Sequence, residues 1–599
     1  MSDVTSSGGK VAEAVETPSM WRALRDLLAR REKFWLIVTL GMTITNSFFE
    51  IAALAVLLPL TNQLLGGDSK SIGFLEDLFP DSTTDASRLL TIVAVVVLVY
   101  VVKNLFSLTL VYVQQRLGAA IANRLVQRLF AVYITRPYSF HLRTNSSLLI
   151  RNVQENSAAI LGYVIIPILT ILTDLSVTLA MLGLLLYIEP GGTVATVVVF
   201  VTGTWMFLRL TRSLTDRWGE VRNRARQGAT KALLQGLGGV KEIKLAGHEA
   251  AFLEEHRVHQ HRSQRATYLF ATFQQFPRAV FETLAFVGVG VLVVVLLAAG
   301  RPASDAVGVL AIFAGAAFRI LPSLQRVTGS FQNISFGQSM VHSVYHDLRE
   351  EPHVSPDVVP TNPVVFSSLQ LRNVTFAYEV AHREALSNIT LHVAKGEYVG
   401  VIGSSGAGKS TLIDVLLGLL QPNSGELFVN GTNVAGDITA WQRIVGYVPQ
   451  EIYLLDDSIR RNVALDIRDD RIDDTAIEEA LRAAQLWEFV MSLPDGLDTE
   501  TGERGVRLSG GQRQRLGIAR ALYRKPQVLV FDEATSALDS QTESEVVDAI
   551  ERLRGERTVI IVAHRLSTVR HCDTLYMLES GRIVRSGSYD EVVGASEQQ

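Results

Sequence analysis

Gly403-Ser-Ser-Gly-Ala-Gly-Lys-Ser-Thr411 decides the fold of the C-terminal half of this chain. It matches the pattern G-x-x-x-x-G-K-[ST], in which the backbone N–H groups of a glycine-rich loop surround the phosphates of a nucleotide. The apolar run Tyr398–Ile402 before it predicts a strand, and Leu412–Leu420 after it predicts a helix. We therefore expect Lys409 to reach the β- and γ-phosphates and Ser410 to offer its hydroxyl to Mg²⁺. The alternative is a glycine-rich turn that binds nothing.

Length and composition indicate a chain that lies only partly in a membrane. The 599 residues exceed a single core, and 48% hydrophobic residues with a mean hydropathy of +0.23 favour a membrane protein. The 19% of charged residues is too high for a chain wholly in lipid, and the net charge of −4 argues against nucleic-acid binding. The single cysteine, Cys572, excludes an intramolecular disulfide and a cysteine-based metal cluster. Residues 1–17 have no apolar run, so no cleavable signal peptide is expected.

Six apolar runs precede the glycine-rich loop, each long enough to cross about 30 Å of hydrocarbon as a helix. They are Phe34–Leu60, Leu89–Val113, Ile160–Ile188, Thr193–Leu210, Ala279–Ala299 and Ala306–Leu321. The long connections 114–159 and 211–278 are rich in Arg and Lys, so the positive-inside rule places them and both termini in the cytoplasm. We expect both connections to be helical, with breaks at Arg136–Phe140 and at Gly236–Gly239. These corners are candidate docking points for a soluble motor.

The remaining composition shifts predict the domain organisation. Met20–Lys33 alternates apolar and basic residues at helical spacing, which predicts an amphipathic helix at the membrane surface or, alternatively, an ordinary solvated helix. A proline-rich linker is expected over 350–363. The predicted fold class is an α-helical membrane domain with six transmembrane helices plus an α/β P-loop nucleotide-binding domain.

Two further stretches of the C-terminal half carry chemistry. Val528–Glu533 is a buried strand that ends in two acids, so Asp532 is placed to hold Mg²⁺ through water and Glu533 to polarise an attacking water. Leu508-Ser-Gly-Gly-Gln512 comes just before a helix predicted over Gln514–Tyr523. Its serine and glycines predict a second anion-binding helix start.

With Gln450, Asp539 and His564, these motifs resemble an ABC transporter half-molecule of the exporter type, over essentially Met20–Val593. The resemblance implies that the Leu508–Gln512 signature of one subunit closes over the ATP that the loop of another subunit holds. It also implies that His564 contacts the γ-phosphate and that Gln450 links Mg²⁺ to the membrane domain. Tyr378 resembles the aromatic residue that stacks on adenine. The segment Thr501–Gly505 resembles the exporter segment that touches the membrane domain.

The expected domains are a cytoplasmic N-terminus with its elbow helix (1–33), a six-span exporter domain (34–349), the linker (350–363) and an ABC ATP-binding domain (364–599). The expected ATP contacts are Tyr378, Gly403, Ser404, Ser405, Gly406, Ala407, Gly408, Lys409, Ser410, Thr411, Gln450 and Asp532. Of these, Ser410, Gln450 and Asp532 are also expected to face Mg²⁺, and Glu533 and His564 are the expected catalytic residues. The set expected to act in trans is Leu508, Ser509, Gly510, Gly511, Gln512 and Asp539. A homodimer at the inner (plasma) membrane, in contact with membrane lipids, is the expected working unit.

The substrate is the least determined feature. Pro137–Ser147 and Gln235–Leu245 resemble the two corners of PglK-like lipid-linked oligosaccharide flippases, and this favours a lipid-linked oligosaccharide. Arg278, Arg319 and Arg326 lie in or beside the last two spans, and a guanidinium group suits a pyrophosphate head group.

Two alternatives to this interpretation remain open. The arginines could snorkel or could pair with the nearby acids Glu50, Asp174 and Glu282. A multidrug or lipid A exporter is the main alternative function. An ATP-gated channel or regulator is a further one, which the intact Glu533 and His564 disfavour.

Overall fold

A computed structural model describes most of the chain. The described residues are 20–55, 85–188, 190–298, 303–349, 365–379, 383–434, 438–465, 469–533, 547, 550–552, 554–563 and 565–594. At helical positions 54–55, 85–89, 91–92, 184, 188, 295–298, 303–313 and 319 it describes only the backbone. The chain divides into two compact units, Met1–Arg136 with His141–Val354, and Pro137–Phe140 with Ser355–Gln599. The predicted linker lies outside the described residues.

The first unit is helical. The α-helices described between Met20 and Leu348 are α1 (Met20–Leu27), α2 (Arg30–Ala55), α3 (Asp85–Thr135), α4 (Tyr138–Arg143), α5 (Ser146–Arg151), α6 (Ser157–Ile160), α7 (Ile166–Ile188), α8 (Pro190–Gly238), α9 (Val240–Ala246), α10 (Glu249–Phe273), α11 (Phe276–Ala298) and α12 (Ala303–Leu348). Two π-helical turns, Asn152–Asn156 and Leu161–Ile165, join α5, α6 and α7 into one continuous rod. Helix α1 covers the first part of the predicted amphipathic segment.

Five stretches of helix within the described residues are long and apolar enough to cross a membrane. They are Arg30–Ala53, Val93–Thr135, Ser146–Tyr187, Pro190–Gly238 and Glu249–Val294. They correspond to the first five predicted spans, although residues 56–60 of the first lie outside the described part. The sixth predicted span, Ala306–Leu321, lies on α12, where most side chains of that run are not described.

Both predicted breaks in the long connections are present. Helix α3 ends at Thr135, just before Pro137, and a new helix begins after Asn145, whose side chain accepts a hydrogen bond from the Ser147 amide. Helix α8 ends at Gly238, and α9 is ended by Gly247 with φ of +65°, a left-handed cap that suits glycine.

Small residues bring the long helices of the first unit close together. A Cβ on Gly219 of α8 would lie 2.2 Å from the carbonyl oxygen of Phe336 on α12. On the other side of the same helix, a Cβ on Gly228 would lie 2.4 Å from the ring of His259 on α10. At Gly219 a side chain would push the two backbones apart, whereas at Gly228 it would displace the His259 ring.

The second unit contains two sheets. Strands β1 (Ser368–Ala377), β2 (Glu384–Ala394), β4 (Ser424–Val429) and β5 (Thr432–Asn433) form an antiparallel sheet in the order β2-β1-β4-β5. Strands β3 (Tyr398–Gly403), β6 (Val445–Val448), β7 (Val528–Asp532), β8 (Thr558–Val562), β9 (Thr574–Glu579) and β10 (Arg582–Gly587) form the other, in the order β10-β9-β3-β8-β7-β6. In the second sheet all the neighbouring pairs are parallel except β9 with β10.

Helices surround the larger sheet. They are α13 (Lys409–Leu416), α14 (Ile438–Ile444), α15 (Ile459–Ala464), α16 (Asp474–Ala483), α17 (Trp487–Met491), α18 (Gly510–Tyr523), α19 (Leu566–Val569) and α20 (Tyr589–Val593). Strands β7 and β8 are buried at every position, and Phe531 and Val530 belong to hydrophobic clusters on opposite faces of the sheet. A parallel sheet covered on both faces explains why these strands are continuous apolar runs. Its carboxyl edge collects the loops that follow β3, β6 and β7.

Candidate functional site

The glycine-rich loop has the predicted strand–loop–helix setting. Strand β3 ends at Gly403, and α13 begins at Lys409. Gly406 and Gly408 have φ of +76° and +105°, a backbone conformation that L side chains rarely adopt. A Cβ on Gly403 would lie 2.2 Å from the carbonyl oxygen of Leu578, so the loop also passes too close to β9 for a larger residue. The loop is therefore a tight turn that ends at a helix N-terminus.

Lys409 lies folded into this loop. Its side chain is 5% exposed, and its Nζ donates hydrogen bonds to the carbonyl oxygens of Gly403 (2.9 Å) and Ser404 (3.2 Å). Burial lowers the pKa of the Lys409 ammonium, while the negative charges of Glu533 and Asp532 partly offset this shift. A buried cation at a helix start, beside two acids, is suited to a polyanionic ligand.

The two acids follow β7 as the sequence predicts. Asp532 is buried, and its burial together with the charge of Glu533 raises the pKa of Asp532 to about 6. Glu533 approaches Lys409 with its Oε1 4.0 Å from Nζ. It accepts a hydrogen bond of 2.8 Å from the Gln450 side chain, which follows β6. The parallel order β6-β7 thus brings Gln450 and Glu533 together across 83 residues of sequence.

Glu533 also has an unusual backbone. Its φ is +48°, a conformation that is uncommon for a residue with a side chain. Its amide donates to the carbonyl oxygen of Val562 at the end of β8 (2.9 Å), which holds the residue in place. Backbone strain of this kind concentrates at functional sites and costs on the order of 1–3 kcal/mol. The strain fits a residue whose side chain must point to a fixed position.

Tyr378 and Asp414 complete the surroundings of the loop. The Tyr378 hydroxyl lies 3.1 Å from the Thr411 hydroxyl, so the aromatic residue that the resemblance selected does reach the loop helix. Asp414 was missed by the sequence analysis. It lies one turn further along α13, and burial together with the charge of Asp532 raises the pKa of Asp414 to about 6. No local motif marks Asp414, because its proximity to Asp532 depends on the packing of α13 against the sheet.

The predicted signature forms a capped helix start. Ser509 precedes α18, its hydroxyl accepts from the Gln512 amide (3.2 Å), and the Gln512 side chain accepts from the Ser509 amide (2.8 Å). Leu508 and Gly511 are buried, whereas Ser509 and Gly510 are exposed. The helix start therefore has an exposed face in this chain. Two other predicted residues, Asp539 and His564, lie outside the described residues.

The predicted substrate arginines have carboxylate partners where their side chains are described. Arg326 on α12 donates from Nε and Nη2 to the two carboxylate oxygens of Asp174 on α7, at 2.8 and 2.5 Å. Arg278 pairs with Glu282 one turn along α11, at 3.0 Å. These are two of the acids that the pairing alternative named, whereas Glu50 pairs with Lys103 at 3.0 Å instead. The side chain of Arg319 lies outside the described part.

The residues of the loop and of β7 fit a magnesium nucleotide. The loop ends at the N-terminus of α13, and the buried Lys409 supplies the positive charge that phosphates need. Asp532 and the exposed hydroxyl of Ser410 are oxygen donors of the kind that Mg²⁺ prefers. When bound, the metal would neutralise phosphate charge between these donors.

Comparisons with known proteins agree with this site. Residues 386–536 match the family model described as ABC transporter, and residues 39–320 match the ABC transporter transmembrane region. An ATP-dependent lipid A-core flippase of Ralstonia nicotianae is 31% identical over 510 residues, which cover 85% of this chain and 86% of the relative. A protein of the same name from Burkholderia thailandensis is 31% identical over 477 residues, 78% of each chain.

A solved structure shares the fold. The structure of a bacterial Atm1-family ABC exporter with ATP bound superposes with a TM-score of 0.75 at 24% sequence identity, over 95% of this chain and 96% of that one. The predicted family and fold class are therefore confirmed. The family models and relatives show that this chain belongs to the ABC transporters, as a multi-pass membrane protein of the exporter fold that couples ATP hydrolysis to transport.

Proposed function

We propose that this ABC transporter is an ATP-driven flippase that moves an anionic glycolipid of the lipid A type out of the cytoplasmic leaflet. The observation that carries the proposal is the similarity to relatives named ATP-dependent lipid A-core flippase, at 31% identity over most of both chains. These relatives favour the lipid A alternative over the lipid-linked oligosaccharide that the sequence analysis preferred. The resemblance of the corners at Pro137–Ser147 and Gln235–Leu245 keeps the oligosaccharide as the second candidate.

Within the ATP site we assign the roles that the resemblance implies. Lys409 and the loop amides hold the phosphates, and Ser410, Gln450 and Asp532 face Mg²⁺. Glu533 polarises the attacking water, because it is the carboxylate next to both the cation and the buried Asp532. The hydrogen bond from Gln450 to Glu533 supports this role, since it fixes the direction of the carboxylate.

The remaining assigned residues of this site are Tyr378 for adenine, His564 for the γ-phosphate, and Leu508, Ser509, Gly510, Gly511, Gln512 and Asp539 for the trans contact. We propose that two identical chains form the working unit. The exposed Ser509 and Gly510 at a capped helix start support this arrangement, because their open face is available to the nucleotide of a second chain.

We further propose a place and an orientation for the chain. The basic connections of the membrane half support an inner-membrane protein with both termini in the cytoplasm. The short helix α1 supports an elbow at the membrane surface, since Ala23 and Leu27 are buried while Trp21 is exposed. The domain limits of the sequence analysis, with the exporter domain over 34–349 and the ATP-binding domain over 364–599, remain part of this proposal.

The experiment that tests the proposed function measures ATP hydrolysis by the purified protein in lipid nanodiscs. We expect lipid A to stimulate hydrolysis in a saturable way, and stimulation by an undecaprenyl pyrophosphate-linked oligosaccharide to be weaker. The Glu533→Gln variant is the matched control, because it should bind ATP without turnover. Stimulation by the oligosaccharide alone would move the assignment to the second candidate, and stimulation by hydrophobic cations alone would contradict both.

A further inference from the structure

An apolar cavity lies within the membrane half of the chain. It has a volume of about 490 Å³ and lies between α7, α8 and α12. Its walls include Leu179 of α7, Phe200 of α8 and Leu324 of α12. Cavities of about 300–1,000 Å³ are the size that holds small ligands in proteins. The chemistry of the wall suits a hydrocarbon chain.

A second cavity of about 510 Å³ begins where the first one ends. Trp205 and Leu208 line both cavities. Along α8 the lining residues run from Thr193 to Leu208 in the apolar cavity and from Trp205 to Thr215 in the second one. Helix α12 gives the same order, with residues 316–324 followed by residues 331–338. The two cavities therefore lie end to end along the same pair of helices.

The second cavity, called the basic cavity below, carries two arginines in a wall that otherwise has a large apolar surface. Arg209 and Arg212 of α8, together with Gln332 of α12, lie in its wall. Arg209 stacks over the Trp205 ring at 5.2 Å, and no carboxylate pairs with it among the described residues. Arg212 has Asp216 nearby, but at the loose distance of 3.9 Å. The wall thus carries positive charge that the surrounding protein compensates only in part.

Gln332 provides an independent observation. Its side chain is 2% exposed, and neither its Nε2 nor its Oε1 has a hydrogen-bond partner among the described residues. A buried amide without partners is unfavourable, so such a group in a native structure requires an explanation. Because Gln332 lines the basic cavity, a ligand with phosphate or hydroxyl oxygens could satisfy both its donor and its acceptor.

Two tryptophans, Trp21 and Trp205, indicate where the basic cavity lies relative to the membrane surface. Met20 and Trp21 of the amphipathic helix α1 reach its wall, and Trp205 is also exposed. Tryptophan is enriched where a membrane meets water, and arginine is enriched in the adjoining cytoplasmic segments. This composition fits a basic cavity at the level of lipid headgroups, with the apolar cavity on its hydrocarbon side.

We propose that the two cavities form one lipid-binding site, with an acyl chain in the apolar cavity and a phosphate-bearing headgroup held by Arg209, Arg212 and Gln332. The chemistry fits an anionic phosphorylated lipid, whether the transported glycolipid or an anionic phospholipid of the membrane. The proposal rests on the proposed function only for the identity of the transported lipid.

Native mass spectrometry of the full-length detergent-solubilised protein tests the proposal, with lipid A, phosphatidylglycerol and phosphatidylcholine titrated separately. For Arg209→Gln/Arg212→Gln we expect binding of an anionic lipid to weaken by at least about tenfold, because one charge-assisted hydrogen bond alone accounts for about that loss. Phosphatidylcholine should bind as before. Arg217→Gln is the matched control, because Arg217 is an exposed arginine on the same helix that does not line either cavity.

Gln332→Leu separates binding from folding. Leucine has a similar volume and no unpaired polar group, so the variant should keep its thermal stability while anionic lipids bind more weakly. A loss for lipid A alone assigns the site to the transported lipid, and a loss for both anionic lipids assigns it to anionic lipids in general. Unchanged binding of both lipids in the double arginine variant overturns the proposal. If lipid A fails to stimulate ATP hydrolysis but phosphatidylglycerol binding still depends on the arginines, the proposed function fails and the site stands.

Discussion

The ion pair between Arg326 and Asp174 gives a prediction about stability that separates pairing from substrate binding. The pair joins α12 to α7 through two hydrogen bonds, and the Asp174 side chain is 8% exposed while that of Arg326 is 49% exposed. Removing one partner of a fully buried pair costs about 3–5 kcal/mol. Because Arg326 is half exposed, we expect Arg326→Gln to lower the free energy of unfolding by about 2–3 kcal/mol, through the carboxylate left unpaired.

A double-mutant cycle measures this coupling. Thermal unfolding of the nucleotide-free protein in detergent should show that Arg326→Gln is destabilised, that Asp174→Asn is less so, and that the double variant recovers about 1–2 kcal/mol relative to the sum. Arg278→Gln is the matched control, because its pair with Glu282 is exposed and lies within one helix. It should cost less than about 0.5 kcal/mol. If Arg326→Gln keeps full stability but loses lipid-stimulated hydrolysis, the pairing interpretation is refuted. Arg326 would then be assigned to substrate binding.

The other predictions concern the ATP-binding half. Glu533→Gln should retain nucleotide binding and lose most steady-state hydrolysis, because an amide cannot take charge from the attacking water as a carboxylate can; normal turnover contradicts the role. A mixture of Ser509→Arg and Lys409→Ala chains should hydrolyse ATP through at most one competent site per dimer, whereas a fully active monomer would exclude a trans site. Cys572 is buried, and this burial raises the pKa of its thiol to about 12. At pH 8 little thiolate is therefore present, so maleimide should label Cys572 only after unfolding, and rapid labelling of the native protein would contradict this burial.

The ATP-binding half could be predicted from the sequence to the extent that its signals are local. The turn from β3 into α13 is fixed by Gly406, Gly408 and Lys409, which are adjacent in the chain. The contact between Gln450 and Glu533 is different in kind. It depends on β6 lying next to β7, and no residue near Gln450 encodes the strand order.

The membrane half shows the same limit. Hydropathy correctly predicted the five spans, and proline and glycine correctly predicted the helix breaks near Pro137 and Gly238. These signals are local, because each depends on a few neighbouring residues. The partner of Arg326 was one of three acids that the sequence left open, since only helix packing brings Asp174 to it. The unpartnered Gln332 has no sequence signal at all, because its burial results from the packing of α12 against its neighbours.

We propose that ATP hydrolysis by this chain moves an anionic glycolipid from one leaflet to the other. The most direct measurement is the accessibility of fluorescent lipid A to a membrane-impermeant quencher in proteoliposomes that contain the purified protein. We expect Mg²⁺ and ATP to shift the labelled lipid between leaflets with the wild-type protein, and not with the Glu533→Gln variant at equal reconstitution. Equal lipid movement with and without ATP, or with the Glu533→Gln variant, would contradict the account.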